Sequence, residues 1–199
     1  MAVSRHASAL FWAHGVAATS GDDIAAAAGI STRTVWRYFR SKESCVEPLL
    51  AASAYRFMTA LRRWPLSSSF EDFLTAELPD SPPTSQDLLD DIASMRIISL
   101  VRDEPALRAS WLMVCGQAEQ AFAPIIARRL DLPADDFRVC LSAATVTAAV
   151  RVVNEEISIG AVAGARTYTI DDVITQLGRA IRISSNEPIC DPRARRPLL

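Results

Sequence analysis

Two serines eleven positions apart, Ser20 and Ser31, frame the stretch that most restricts how this chain can fold. Ser20-Gly21-Asp22-Asp23 has the form of a capping box, and Ser31 stands before Thr32-Arg33-Thr34 as a second helix cap. Gly29-Ile30 lies between them and closes the first segment. The caps leave room for only two short helices, over 21–28 and 32–39, joined by a glycine turn. Helices this short are not stable alone in water, so both must be packed. Short helix, glycine turn, short helix is the helix-turn-helix pattern. Ile24, Ala25, Ala28, Ile30, Val35 and Phe39 are its expected small core, with alanine allowing the helices to cross closely.

The second of these helices is chemically unusual. GISTRTVWRYFRSKE, from Gly29 to Glu43, concentrates arginines, hydroxyls, Trp36, Tyr38 and the only lysine of the chain. The net charge of -2 hides an asymmetry, because residues 1–64 sum to +4 and the remainder to -6. A basic head on an acidic body suits a polyanion-binding module. Helical spacing sets Arg33 and Arg37 on one face with Trp36 beside them. Arginine bonds guanine O6 and N7 bidentately, and a threonine methyl suits that of thymine. Thr32, Arg33, Trp36 and Arg37 are therefore placed towards base edges. Thr34, Tyr38 and Lys42 are candidates for phosphates, Lys42 at the start of a fourth helix, and Ser20 is a further DNA-binding candidate. A solvated basic face with Trp36 packed beneath it fits the same spacing.

Elsewhere helical periodicity continues. A first helix over 3–14, with Leu10 and Phe11 facing inward, ends at Gly15. The fourth, capped by Ser41, runs to about Trp64 with a kink at Pro48. Residues 66–85, rich in Pro and Ser, read as an interdomain loop around the amphipathic piece Phe70 to Leu78. Helices follow over 86–101, 105–130 (broken once), 134–159 and 170–183, and the tail from Ser184 reads as disordered. Half of the residues are apolar, enough for a core. No run reaches about 18 apolar residues, and a secretory signal is not evident, so a soluble, cytoplasmic protein is expected.

The run from about Leu10 to Leu49 resembles the N-terminal domain of the tetracycline-repressor (TetR) family of bacterial transcription regulators. The shared pattern is Leu10-Phe11, Gly15, Thr19-Ser20, Asp23-Ile24-Ala25, Ala28-Gly29-Ile30-Ser31, Thr34, Tyr38-Phe39 and Ser41-Lys42-Glu43. The resemblance implies an all-α fold of about nine helices. Residues 1–47 would form the DNA-binding domain, 48–183 a helical effector-binding and dimerisation domain, and 184–199 a flexible tail. It implies a nucleoid-associated homodimer, most simply a ligand-responsive repressor, on a near-palindromic operator of double-stranded DNA. The last two long helices would pair across a two-fold axis, through Ala143, Thr147, Val150 and Asn154 on one and Ile174, Leu177 and Ile181 on the other. Packing inside one protomer is the alternative for that face. Family members usually carry further residues before the first helix, whereas here only Met1 and Ala2 precede it, which puts supplementary minor-groove contacts in doubt.

An effector pocket is expected along the stripe Trp111, Cys115 and Phe122, faced by Met95, Ser99, Phe137, Leu141 and Thr145. Such walls suit a small hydrophobic or amphipathic molecule; plain core is the other reading. No cofactor, metal site or catalytic constellation is evident. Cys45, Cys115, Cys140 and Cys190 lack metal-ligand spacing, and His6 and His14 lack a carboxylate or thiol partner. An enzyme is not expected. The competing functions are an interaction protein of the same fold with weakened operator binding, and a regulator signalled by a protein or an oxidant.

Overall fold

The computed structural model describes residues 1–80 and 82–193, the side chains of 78–80 excepted. Those residues are all-α. Nine α-helices are described: α1 (Ala2–His14), α2 (Gly21–Ala27), α3 (Thr32–Tyr38), α4 (Glu47–Leu61), α5 (Phe70–Asp80), α6 (Ser85–Leu100), α7 (Pro105–Leu130), α8 (Phe137–Val162) and α9 (Ile170–Ser184). They fall into two compact units. The first comprises Met1–Ala54 with Pro83–Val114, so α6 and the first part of α7 cluster with the head; the second is built from Tyr55–Pro82 and the chain from Cys115 onward. This division differs from a cut after residue 47.

In the first unit α1 ends where Gly15 takes φ 83°, which a side chain would strain, and its N–H bonds Phe11 O. Phe11, Ile24, Val35, Val46, Leu49 and Leu50 are buried together with Ile97 of α6. Ala28 and Phe39 are only half-buried and Ile30 is 36% exposed, because a head this small covers few residues. α6 is fastened to α1 by polar contacts: Arg5 donates to both carboxylate oxygens of buried Asp90, at 2.8 and 2.9 Å, and the Arg96 guanidinium lies 5.3 Å from the centre of the Trp12 ring.

The fourth helix starts later than its cap suggested. Ser41 accepts the Ser44 N–H, but the turn that follows, Glu43–Val46, is a 3-10 turn. α4 begins at Glu47, so Pro48 lies in its first turn, where the missing N–H has no intrahelical partner to lose and no kink follows. α7 is likewise continuous, with Pro124 on its exposed side.

In the second unit α9 packs on α8 and α5. The segment read as an interdomain loop contains the helix α5, whose Glu71 pairs with Arg182 of α9. The expected disordered tail is packed as far as Arg193; residues 194–199 lie outside the described residues. Ile189 and Cys190 are buried, Cys190 O accepts the Phe70 N–H at 2.9 Å, and Leu66 O accepts the Arg193 N–H at 2.7 Å. Arg129 of α7 lies beneath this strap, 1% exposed.

Candidate nucleic-acid interface

Both short helices form through their caps. Ser20 accepts the Asp23 N–H, and Asp23 accepts the N–H and the hydroxyl of Ser20, closing the box. The hydrogen bonds from the Ser20 hydroxyl and N–H hold the Asp23 carboxyl below the usual carboxylate range. Gly29 turns the chain at φ 67°, and Ser31 accepts the Thr34 N–H to start α3.

Val35 fixes which way α3 faces, being fully buried. At about 100° per residue, Arg33 and Arg37 each stand about 160° from Val35 and point away from the core. Both are exposed, and with Thr34 and Trp36 they line an open concavity. Arg33 has no hydrogen bond or ion pair among the described residues. The Arg37 guanidinium bonds the Tyr38 hydroxyl at 3.0 Å and lies 4.7 Å from that ring's centre; Tyr38 itself is 69% exposed. Uncompensated guanidiniums beside exposed aromatic edges are what a duplex-reading helix presents.

The remaining candidates are engaged within the protein. Thr32 Oγ1 donates to Asp22 Oδ1 at 2.6 Å. Thr34 Oγ1 lies 2.8 Å from Ser31 Oγ, and the Ser20 hydroxyl is held by Asp23. Lys42 does not stand over the free N–H groups of a fourth helix. Its ammonium donates to Val16 O at 2.6 Å and Thr19 O at 2.8 Å, capping the carbonyls that follow α1. Lysine spacing alone could not distinguish these places, since the side chain reaches either.

Two residues of this surface escaped the sequence reading. Gly21 lies directly under Trp36: a Cβ on it would come within 2.1 Å of the indole Cζ2. Asp22 is the partner of Thr32. The only sequence signal for either was a glycine at a helix start, where glycine is not otherwise favoured. Gly21→Ala is expected to push the indole off α2, costing about 1–3 kcal/mol in overpacking and red-shifting Trp36 fluorescence, read in a chain with the other three tryptophans replaced by phenylalanine. An unchanged spectrum and unfolding midpoint would show the contact to be slack.

Beyond the head, the residues expected at the dimer interface and the effector pocket are placed as follows. Ala143, Thr147, Ile174, Leu177 and Ile181 are buried within the protomer, on two helices that pack on one another. Val150 and Asn154 are half-buried on the same side of α8. Phe137 and Leu141 are 77% and 52% exposed, which removes them from an interior pocket wall. Thr145 is half-buried and its hydroxyl bonds Ser142 O. Trp111, Cys115 and Phe122 are buried, and Met95 and Ser99 are half-buried.

Comparison with known proteins agrees with this architecture. Residues 5–49 match the family model for bacterial regulatory proteins of the tetR family, and residues 88–178 match the MftR C-terminal domain. The HTH-type transcriptional regulator TcmR of Streptomyces glaucescens is 32% identical over 158 residues, covering 76% of this chain and 70% of that protein. The chain belongs to the TetR family. It is a helix-turn-helix transcriptional regulator. Among solved structures, an assigned TetR-family transcriptional regulator from Mesorhizobium loti superposes with a TM-score of 0.50 at 17% identity, over 92% of this chain and 93% of that one, a likeness of fold. The flavonoid-responsive regulator FrrA is 26% identical, with a TM-score of 0.46 and 97% of both chains covered.

Proposed function

We propose that this TetR-family regulator is a homodimeric, ligand-responsive repressor that reads a near-palindromic operator through Arg33 and Arg37. The observation that carries the reading is the pair of exposed guanidiniums opposite buried Val35, on a helix whose other polar groups are largely engaged. Two copies of α3 would enter successive major grooves, roughly 34 Å apart. Residues 1–47 supply the DNA contacts, and a small apolar or amphipathic effector is held within 48–183, against buried Cys115 and Phe122. Effector and operator then oppose one another by linkage. Burial pushes the Cys45, Cys115 and Cys190 thiols up to about 12, far from the thiolate form, which disfavours these three as oxidant sensors and leaves exposed Cys140 as the thiol an oxidant would reach.

Arg33→Ala and Arg37→Ala are each expected to reduce discrimination between operator and random duplex by about 1–3 kcal/mol. Competition binding at fixed salt measures it. Variants that discriminate as well as wild type would rule out base reading by this helix.

A further inference from the structure

Asp22 belongs neither to the core nor to the arginine pair, yet it is bonded to the recognition helix. Thr32 donates to its Oδ1 at 2.6 Å, while Oδ2 makes no hydrogen bond among the described residues and the side chain is exposed. The adjacent Gly21 holds the Trp36 indole. Residues 32 and 36 lie on one side of α3, so two independent contacts bind that side to 21 and 22. The second carboxylate oxygen is thereby held beside Thr32, the residue that precedes exposed Arg33 on α3.

We propose that Asp22 is a specificity-determining residue that reads an exocyclic amine on the major-groove edge, cytosine N4 or adenine N6. The proposal rests on the reading of α3 given above. Arg33 and Arg37 only donate, so alone they favour guanine O6 and N7 and attract every phosphate. A fixed carboxylate oxygen only accepts. It bonds an amino group and repels guanine O6 and N7, thymine O4 and phosphate. Donation from Thr32 leaves Oδ2 as the oxygen that faces solvent. It also fixes the direction of the Thr32 methyl. An acceptor next to a donor pair gives the surface a pattern that one kind of base step satisfies, where two arginines would tolerate many.

The test is selection from a pool of random-sequence duplexes by the full-length protein, with Asp22→Asn, Thr32→Val and Arg33→Ala beside wild type and circular dichroism confirming each fold. Wild type is expected to restrict one position per half-site to adenine or cytosine on one strand. Asp22→Asn keeps the shape but replaces a pure acceptor with a group that also donates. It should lose about tenfold of that preference while retaining the others. Thr32→Val, which keeps the charge and frees the carboxylate, should blur the same position. If Asp22→Asn tightens binding to all sequences alike and leaves every preference intact, Asp22 is a surface charge and the inference fails. In that case a relaxed Arg33→Ala profile shows that α3 still reads bases, whereas an Arg33→Ala profile identical to wild type sinks the reading of α3 as well.

Discussion

Replacing Arg129 with methionine is expected to lower the melting temperature by roughly 10 °C, from a loss of about 3–5 kcal/mol. The size follows from what one guanidinium joins. Its Nε donates to Ile189 O at 2.6 Å and it also donates to Asp191 O, both in the strap after α9; on its other side it donates to Pro65 O at 3.0 Å and Ser68 O at 3.3 Å. The Trp64 ring centre lies 3.6 Å from the guanidinium carbon. Burial lowers the Arg129 pKa to about 10, so the side chain remains a cation at neutral pH, with carbonyl dipoles and a ring face supplying the stabilisation.

Methionine fills much of the space and leaves those carbonyls without their donor, which is the costly half of a broken hydrogen bond. Lysine should recover little, because an ammonium cannot reach both the strap and the 65–68 turn in the planar fork arginine uses. Two measurements complete the test. A chain ending after Ser184 should lose at least as much stability as Arg129→Met, since it also removes buried Ile189 and Cys190, and combining the two should cost less than their sum, because both remove the hydrogen bonds between Arg129 and the strap. The Cys190 thiol, on the buried side of the strap, should react with a disulfide reagent faster in Arg129→Met than in the parent, with Cys140 replaced in both. An unfolding midpoint equal to wild type would mean that the strap is held by its outer ion pairs, Arg138 with Glu187 and Arg193 with Asp131.

The head was legible because its signals are local. Ser20, Gly29 and Ser31 act on their own backbone, and the order of caps and glycine fixes the two helices within a residue of their observed ends. Where a side chain goes once it leaves its own turn was not legible. Lys42, Thr32 and Ser20 have the chemistry of DNA ligands, and the sequence carries no sign that carbonyls and carboxylates of neighbouring turns already hold them. The strap was misread for a related reason. Residues 184–193 are polar and proline-bearing, like a solvated tail, and what orders them is an arginine some 60 residues away whose burial no local pattern reveals. For α8 the difficulty was symmetry: the helix is apolar on both sides, so periodicity could not say which side faces α9.

That ambiguity resolves into the second large effect. In the proposed homodimer, Leu141→Glu is expected to separate the protomers at micromolar concentration and to abolish measurable operator binding. On α8, Val139, Ala143, Val146, Val153 and Ile157 are buried within the protomer. On the other side Phe137, Leu141, Ala148 and Val152 fall within an arc of about 60° and extend about 22 Å; all four are exposed. By length and composition α8 would also cross a membrane, with a mean hydropathy of 1.3 over 18 residues. It nonetheless carries the Arg151–Glu155 ion pair and packs on α9, as a protein-covered helix does. An apolar stripe of that length left open on a regulator is best covered by its own copy, residue for residue across a two-fold axis. Glutamate at 141 would then bring two carboxylates together in a desolvated centre, a cost of several kcal/mol and more than a hundredfold in dimer affinity. Operator binding falls further, because two heads on one dimer hold each other near the second half-site and separate heads do not. Thr147→Val is the control: its hydroxyl is buried in the protomer without a hydrogen-bond partner among the described residues, so the change should leave the association state as in wild type and the fold at least as stable. Sedimentation velocity distinguishes the outcomes. A Leu141→Glu protein that still sediments as a dimer would move the two-fold face off this side of α8.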